Sequence, residues 1–295
     1  MQQLFRWLMM GCFFASALNA HAVTVQDQHG TFTIEKVPQR IVVLELSFAD
    51  ALAAVAVSPV GIADDNDPQR LLPEVRQQLQ PWQSVGLRGQ PSLEAISALH
   101  PDLIIADSSR HATIYASLQR IAPVLLLQSR NETYAENLQS AAIIGDVVGK
   151  HTEMQQRLAL HQHRMHDAAA KLPPNTSVLF GTSRENQFTL HSSASYTGGV
   201  LMALGILVPQ PVNHTPMTVL SLEQLLAINP DWLLVAHYRD ESIVKKWQQD
   251  PLWSLIKAEQ QHHIRAVDSN SWARARGLFA AEKIASDAVT LLTAP

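Results

Sequence analysis

Arginine is the residue type that carries chemistry in this chain. Of the 22 basic side chains, 15 are arginine and 7 are lysine, and a guanidinium fork matches carboxylates in a bidentate way that an ammonium cannot. Five arginines stand out by position. Arg110 and Arg239 are related by an internal repeat, Arg184 and Arg274 follow the apolar runs Val178 to Phe180 and Ile264 to Val267, and Arg88 precedes the first copy of the repeat. Brought together, such groups would hold a polyanion, each charge-assisted hydrogen bond contributing about 1.5–3 kcal/mol. Arg130, Arg276 and Tyr196 are secondary candidates, Ser47 and Ser109 could donate from loop ends, and Trp272 reads either as an apolar wall or as core. The competing reading of any single arginine is an ordinary surface ion pair.

The repeat is what positions them. The nineteen residues from Ser92 to Arg110 return 129 positions later as Ser221 to Arg239, with seven identities, at Ser92/Ser221, Leu93/Leu222, Glu94/Glu223, Ala98/Ala227, Pro101/Pro230, Asp102/Asp231 and Arg110/Arg239. Each serine is a good N-cap. Leu93, Ile96 and Leu99, then Leu222, Leu225 and Ile228, recur at helical spacing and predict a buried stripe. Proline ends each helix, and the runs Leu103 to Ala106 and Trp232 to Ala236 read as buried parallel strands. Ligands of open α/β sheets bind outside the carboxyl ends of the strands, which predicts that Arg110 and Arg239 face one cleft between two lobes. Glu94 and Glu223 fall in the first helical turn at the opposite end, where the helix dipole favours a carboxylate. Two equivalent glutamates also suggest a two-point docking surface for basic groups on a partner.

Other signatures are incomplete. Gly145 to Lys150 has one residue too few between its glycines for a P-loop and reads as a helix break. His161, His163 and His166 lack a carboxylate to complete a zinc set and read as solvated surface, and His262-His263 is similarly unsupported. No G-x-S-x-G or H-E-x-x-H occurs, so a hydrolase using Ser109 and His111 has no motif behind it.

Length and composition fit two ordinary α/β lobes: 295 residues, 46% hydrophobic, 16% charged. The first 22 residues hold one charge, Arg6, an apolar stretch from Trp7 to Leu18, and Ala20-His21-Ala22, which predicts a secretory signal cleaved after Ala22. The stretch is short for a membrane anchor, which needs roughly 20 residues. Cys12, the one cysteine, would leave with it, so disulfides and thiolate chemistry are excluded from the mature chain. Net charge moves from −4 to about −5 on losing Arg6. That balance excludes nucleic acid as a partner and requires any anion site to be built locally.

After an opening hairpin over Thr24 to Ile34, strands alternate with helices up to Leu127 and again beyond Pro173-Pro174. The longest helical signal, Thr152 to Leu172, lies between the two sets. The expected fold is therefore two Rossmann-like β/α lobes, residues 23–150 and 173–295, joined by one long rigid helix over 151–172 with the ligand cleft between them.

The paired units S-L-E-x-I-x-x-L-x-P-D and S-L-E-x-L-L-x-x-x-P-D, with a signal, two β/α lobes and a single connecting helix, resemble the periplasmic substrate-binding proteins for iron-siderophore and cobalamin ABC importers. The segments Gln39 to Asp50, Glu132 to Ala142 and Ser271 to Arg274 carry the likeness further. The resemblance implies a periplasmic monomer that is not an enzyme. It implies that Glu94 and Glu223 meet arginines on the permease, and that ligand is touched by Arg88 and the loop after Leu103 to Ala106 on one side and by Arg184, Arg239 and the Trp272 to Arg274 loop on the other. With this many arginines the implied cargo is an anionic Fe(III) chelate, ferric citrate, whose own oxygens ligate the metal, so no protein metal ligand or cofactor is expected. A hydroxamate or cobalamin carrier would need more aromatic wall than 6% aromatic residues suggest. Haem would need an axial ligand such as Tyr196 or His237.

Overall fold

The computed structural model describes residues 22–210 and 215–293. The signal-peptide reading falls on residues 1–21, outside the described residues. Strands β1 (Val23–Asp27) and β2 (Gly30–Ile34) form the opening hairpin. β3 (Ile41–Val43), β4 (Gly61–Ile62) and β5 (Gln83–Ser84) follow, then a short ribbon of β6 (Gly86–Leu87) and β7 (Gln90–Pro91), then β8 (Leu103–Asp107) and β9 (Val124–Leu127). The first sheet is parallel throughout, in the order β5-β4-β3-β8-β9. β3, β9 and β8 up to Ala106 are unbroken apolar runs because both faces are covered, whereas the edge strand β5 is polar. The crossovers contain α1 (Leu46–Ala53), α2 (Pro73–Arg76), α3 (Leu93–Ala98) and α4 (Tyr115–Gln119).

Helices α5 (Tyr134–Val147) and α6 (His151–Ala169) come next, broken where Gly149 takes φ +69°. The second lobe holds β10 (Val178–Arg184), β11 (Gln187–His191), α7 (Tyr196–Ala203), β12 (Met217–Leu220), α8 (Leu222–Ile228), β13 (Trp232–His237), α9 (Ile243–Trp247), α10 (Lys257–Gln260), β14 (Ile264–Val267) and α11 (Leu278–Leu292). Its sheet runs β12-β11-β10-β13-β14. Here β10, β13 and β14 are parallel while β11 and β12 are antiparallel, so this sheet is mixed rather than mostly parallel.

The repeat resolves into two equivalent structural jobs. Ser92 Oγ accepts from Ala95 N at 3.1 Å, and Ser221 Oγ accepts from Gln224 N at 3.3 Å, so both serines cap as predicted. Asp102 accepts from the amides of Gln39 and Arg40, both at 2.8 Å, immediately before β3. Asp231 accepts from Ser177 N at 2.9 Å, immediately before β10. Each aspartate thus ties the start of its strand to the neighbouring one, which accounts for its recurrence. Of the helical stripes, Ile96, Leu222 and Leu225 are buried, Leu93 and Leu99 are partly buried, and Ile228 is exposed.

Two features depart from the expected plan. Helix α6 is not the sole tie between lobes, because Ala275, Leu278 and Ala280 pack into the same core as Ile41, Phe48, Leu52 and Ile144. Asp50 of α1 accepts from Phe279 N at 3.2 Å and Ala280 N at 3.3 Å, capping the start of α11 across the lobe boundary. Gly277 sits beside it at φ +130°, and a Cβ there would lie 2.1 Å from Asp50 Cγ. The second departure is His161, which is buried rather than solvated. It lies on the α6 stripe with Met154 and Met165 and meets Glu282 Oε1 at 2.8 Å and the Tyr134 hydroxyl at 2.5 Å. Burial opposes ionisation of Glu282, but hydrogen bonds from His161 and Arg157 hold its pKa at about 2.

Candidate anion-binding cleft

Six arginines converge on one cleft of about 390 Å³ between the two sheets: Arg88, Arg110 and Arg130 from the first lobe, and Arg184, Arg274 and Arg276 from the second. Arg110, Arg130 and Arg184 lie at or just beyond the carboxyl end of a strand, and Arg274 and Arg276 in the longer segment that follows the carboxyl end of β14, where the open-sheet rule puts ligands. Thr182, Gln187, Thr189, His191, Met217 and Tyr238 complete the wall. The volume falls within the range of small-molecule sites, roughly 300–1,000 Å³.

Each guanidinium group is positioned by identifiable contacts. Arg88 lies in the turn of the β6–β7 ribbon, with Nε and Nη2 donating to Asp65 Oδ2 at 3.0 and 2.6 Å. Arg110 and Arg130 are placed together by Asp107 at the end of β8. One oxygen of Asp107 accepts from Ser109 N, Ser109 Oγ and Arg110 N at 3.0, 2.7 and 2.6 Å. The other accepts from Ser129 N and Arg130 N at 2.7 and 3.0 Å. Burial works against that charge, yet these bonds hold the Asp107 carboxyl below its usual range. Across the cleft, Arg184 and Arg274 both lie over the Tyr238 ring, at 4.7 and 4.2 Å from its centroid, as cation–π pairs. Arg276 donates to the Ser129 carbonyl of the other lobe.

His191 in the cleft wall and Glu45, packed against Arg110 and Arg88, are groups that sequence reasoning missed. Glu45 is 2% exposed. Its Oε1 lies 2.6 Å from Arg110 Nε and its Oε2 lies 3.8 Å from Arg88 Nη1. Burial pushes the Glu45 carboxyl up to about 7, against the pull of Arg110 and Arg88. Burial, with Arg276 beside it, lowers His191 to about 3, so its imidazole stays neutral in the cleft wall.

Five residues expected at the ligand are placed elsewhere. Arg239 lies in an adjoining surface depression with Glu185, Asn186 and Gln187; its side chain is 72% exposed and pairs with Glu185 at 3.7 Å. Position 236, equivalent to Asp107 in the repeat, is alanine, so no carboxylate there gathers the loop's amides, and Tyr238 faces the cleft instead. Trp272 is core: fully buried, 5.4 Å from the Phe180 ring, with Nε1 donating to Asp287 Oδ2. It sits in a π turn, Asn270–Arg274, that turns Trp272 in and Arg274 toward the cleft. Tyr196 is also core, its hydroxyl donating to Gly277 O at 2.6 Å and accepting from Gly277 N at 3.0 Å. Ser47 is buried against Ser129 Oγ at 2.8 Å, and Ser109 Oγ is engaged by Asp107. Arg130 and Arg276, secondary in the sequence, are full members of the wall.

The same contacts bear on the other readings. Nδ1 of His111 accepts from Asp107 N at 2.8 Å, which leaves Nε2 to donate to Arg88 O at 2.8 Å, so this imidazole is committed to backbone and is not available as a base for Ser109. Tyr196 is satisfied in the core, and Nδ1 of His237 bonds Ser242 Oγ at 2.9 Å. Tyr196 therefore has no free hydroxyl for an axial haem ligand, and His237 is not among the residues that line the arginine cleft.

Comparison with known proteins agrees with this architecture. The periplasmic binding protein family description matches residues 41–271. The chain is 67% identical to the Fe(3+) dicitrate-binding periplasmic protein FecB of Escherichia coli strain K12 over 273 residues, 92% of this chain and 91% of that protein. It is 39% identical to the Fe(3+)-citrate-binding protein YfmC of Bacillus subtilis, over 89% of this chain and 84% of that one. Among solved structures, Staphylococcus aureus SirA complexed with staphyloferrin B superposes with a TM-score of 0.79 at 22% identity, covering 91% of this chain and 98% of that one. With two β/α lobes around a shared cleft, the chain belongs to the periplasmic binding protein family.

Proposed function

We propose that this protein captures ferric citrate in the periplasm and delivers it to an ABC importer in the inner membrane. The observation that carries the reading is the cleft wall, in which three arginines from each lobe surround one cavity in a chain whose overall charge is negative. A field of that kind suits a compact polyanion, and citrate brings the carboxylate and alkoxide oxygens that a hard Fe(III) ion prefers. In this reading the iron is cargo that arrives with its ligands, and the protein acts as a monomeric carrier rather than an enzyme. The identities to FecB and YfmC support the choice of citrate among chelates. Titrating the mature protein with ferric citrate, followed by intrinsic fluorescence, tests it. Saturable binding that ferric hydroxamates do not compete for is expected; absence of saturation would overturn it.

Glu94 and Glu223 are the proposed contacts for the permease. Both are exposed in the first turns of α3 and α8, at the opposite end of β8 and β13 from the arginine cleft. Ser221 Oγ, bonded to its carboxyl, lowers the pKa of Glu223 and keeps it charged. Paired carboxylates there would orient the carrier on two basic positions of the membrane subunits.

A further inference from the structure

Glu45 is out of place by every ordinary rule for a binding-site carboxylate. It stands in the N-cap position of α1 yet makes no capping hydrogen bond with its side chain. It is buried, it sits beside a cleft whose cargo is read as an anion, and its Oε1 has no hydrogen-bond partner of good geometry although Arg110 is 2.6 Å away. Buried polar atoms left in that state are rare and call for a reason. Its charged surroundings come from four other elements. Arg110 and Asp107 face it from the end of β8, Arg88 from the β6–β7 turn, Arg276 from the segment before α11, and Glu132 from the segment before α5.

The two arginines nearest Glu45 differ in how firmly they are held. Arg88 is fixed on Asp65 by two side-chain bonds, with a third from its own amide at 3.0 Å. Among the described residues Arg110 has no ion pair besides Glu45. Arg110 is therefore the guanidinium group for which an incoming anion and Glu45 compete directly. Resting on the ferric citrate reading, we propose that Glu45 is an internal counter-anion that balances Arg110 in the empty cleft and takes up one proton from solvent when a polyanionic cargo occupies that arginine. Cargo must then carry enough negative charge to supplant a buried carboxylate, which makes Glu45 a specificity-determining group. Its poise fits, because burial already brings the carboxyl up to about 7 in the empty protein, and a second anion beside it raises it further.

The sign of the pH effect follows. Below about 7 Glu45 is already protonated, binding takes up nothing there, and affinity is level with pH as far as this group is concerned. Above that point capture requires the proton, so affinity falls as pH rises, by at most roughly tenfold per pH unit from one group.

Calorimetric titration of the mature protein with ferric citrate at pH 7.5–8.5, in two buffers of different ionisation enthalpy, counts the protons taken up. Comparing wild type with Glu45→Gln cancels protons gained or lost by citrate itself. The expected result is an excess uptake approaching one proton in wild type, and an affinity in Glu45→Gln that holds up better as pH rises. Equal proton counts and parallel pH profiles would overturn the inference while leaving the ferric citrate reading intact. Wild type that fails to bind at any pH would overturn both. Infrared difference spectra of wild type with 13C-labelled citrate do not depend on the variant folding. A protein carboxylic-acid band should appear on binding at pH 7.5, and its absence would reject the proton uptake.

Discussion

The loops that follow β8 and β13 begin from one repeated unit and end differently. Both copies keep the capping serine, the exposed glutamate, the proline and the aspartate that ties the next strand. Of the positions at which they differ, Asp107 against Ala236 is the one that bears on the loop's path. Five hydrogen bonds to Asp107 wind the first loop, and the one after β9, so that Arg110 and Arg130 enter the cleft. Alanine can organise nothing, and Arg239 stays in solvent beside Glu185. Identity at the arginine was thus less informative than identity at the residue that bends the chain.

Mutations can break that comparison. The largest effect should come from Arg110→Ala combined with Arg274→Ala. Losing two charge-assisted contacts at about 1.5–3 kcal/mol each weakens ferric citrate binding by roughly two to four orders of magnitude. Arg239→Ala, the partner of Arg110 in the repeat, should leave the affinity within about twofold, and a large loss there would restore the symmetric cleft. Next comes Asp107→Ala, which strands several buried amides and should cost about 3–5 kcal/mol in denaturant unfolding. Survivors should bind weakly because two arginine loops lose their anchor. An Asp107→Ala protein with normal stability and affinity would show that the loops are wound by other means. Smallest in binding terms are Glu94→Ala and Glu223→Ala, expected to leave the titration unchanged while cutting ferric citrate uptake by cells. Loss of binding instead would show that the two ends of β8 and β13 are not functionally separate.

What the sequence revealed depended on whether the signal was local. The capping serines of the repeat, the buried strands and the opening hairpin are written in spacing, and they appear where spacing puts them. The edge of the second sheet is not. β12 is half-exposed and lacks an apolar run, so nothing in Met217–Leu220 marks a strand until β11 pairs with it. In the site, strand-end logic found Arg110, Arg184 and Arg274, and the family resemblance Arg88, but neither could say which way a loop turns. That direction is set by residues distant in sequence, such as Asp65 for Arg88 and Tyr238 for Arg184. Tyr196, Trp272 and Ser47 have chemistry suited to a ligand, yet their partners are Gly277, Asp287 and Ser129, far along the chain. Glu45 was overlooked because a glutamate after an apolar run gives no hint that two arginines will enclose it.

The helix that closes the chain belongs to the packing of both halves at once. Its first residues fill the interior beneath the parallel sheet, and Ile284, Ala288 and Leu292 fill the interior of the other half. Neither half can therefore keep its apolar centre without α11. The molecule should melt in one cooperative step, and a chain cut short before Leu278 should fail to fold in both halves rather than in one.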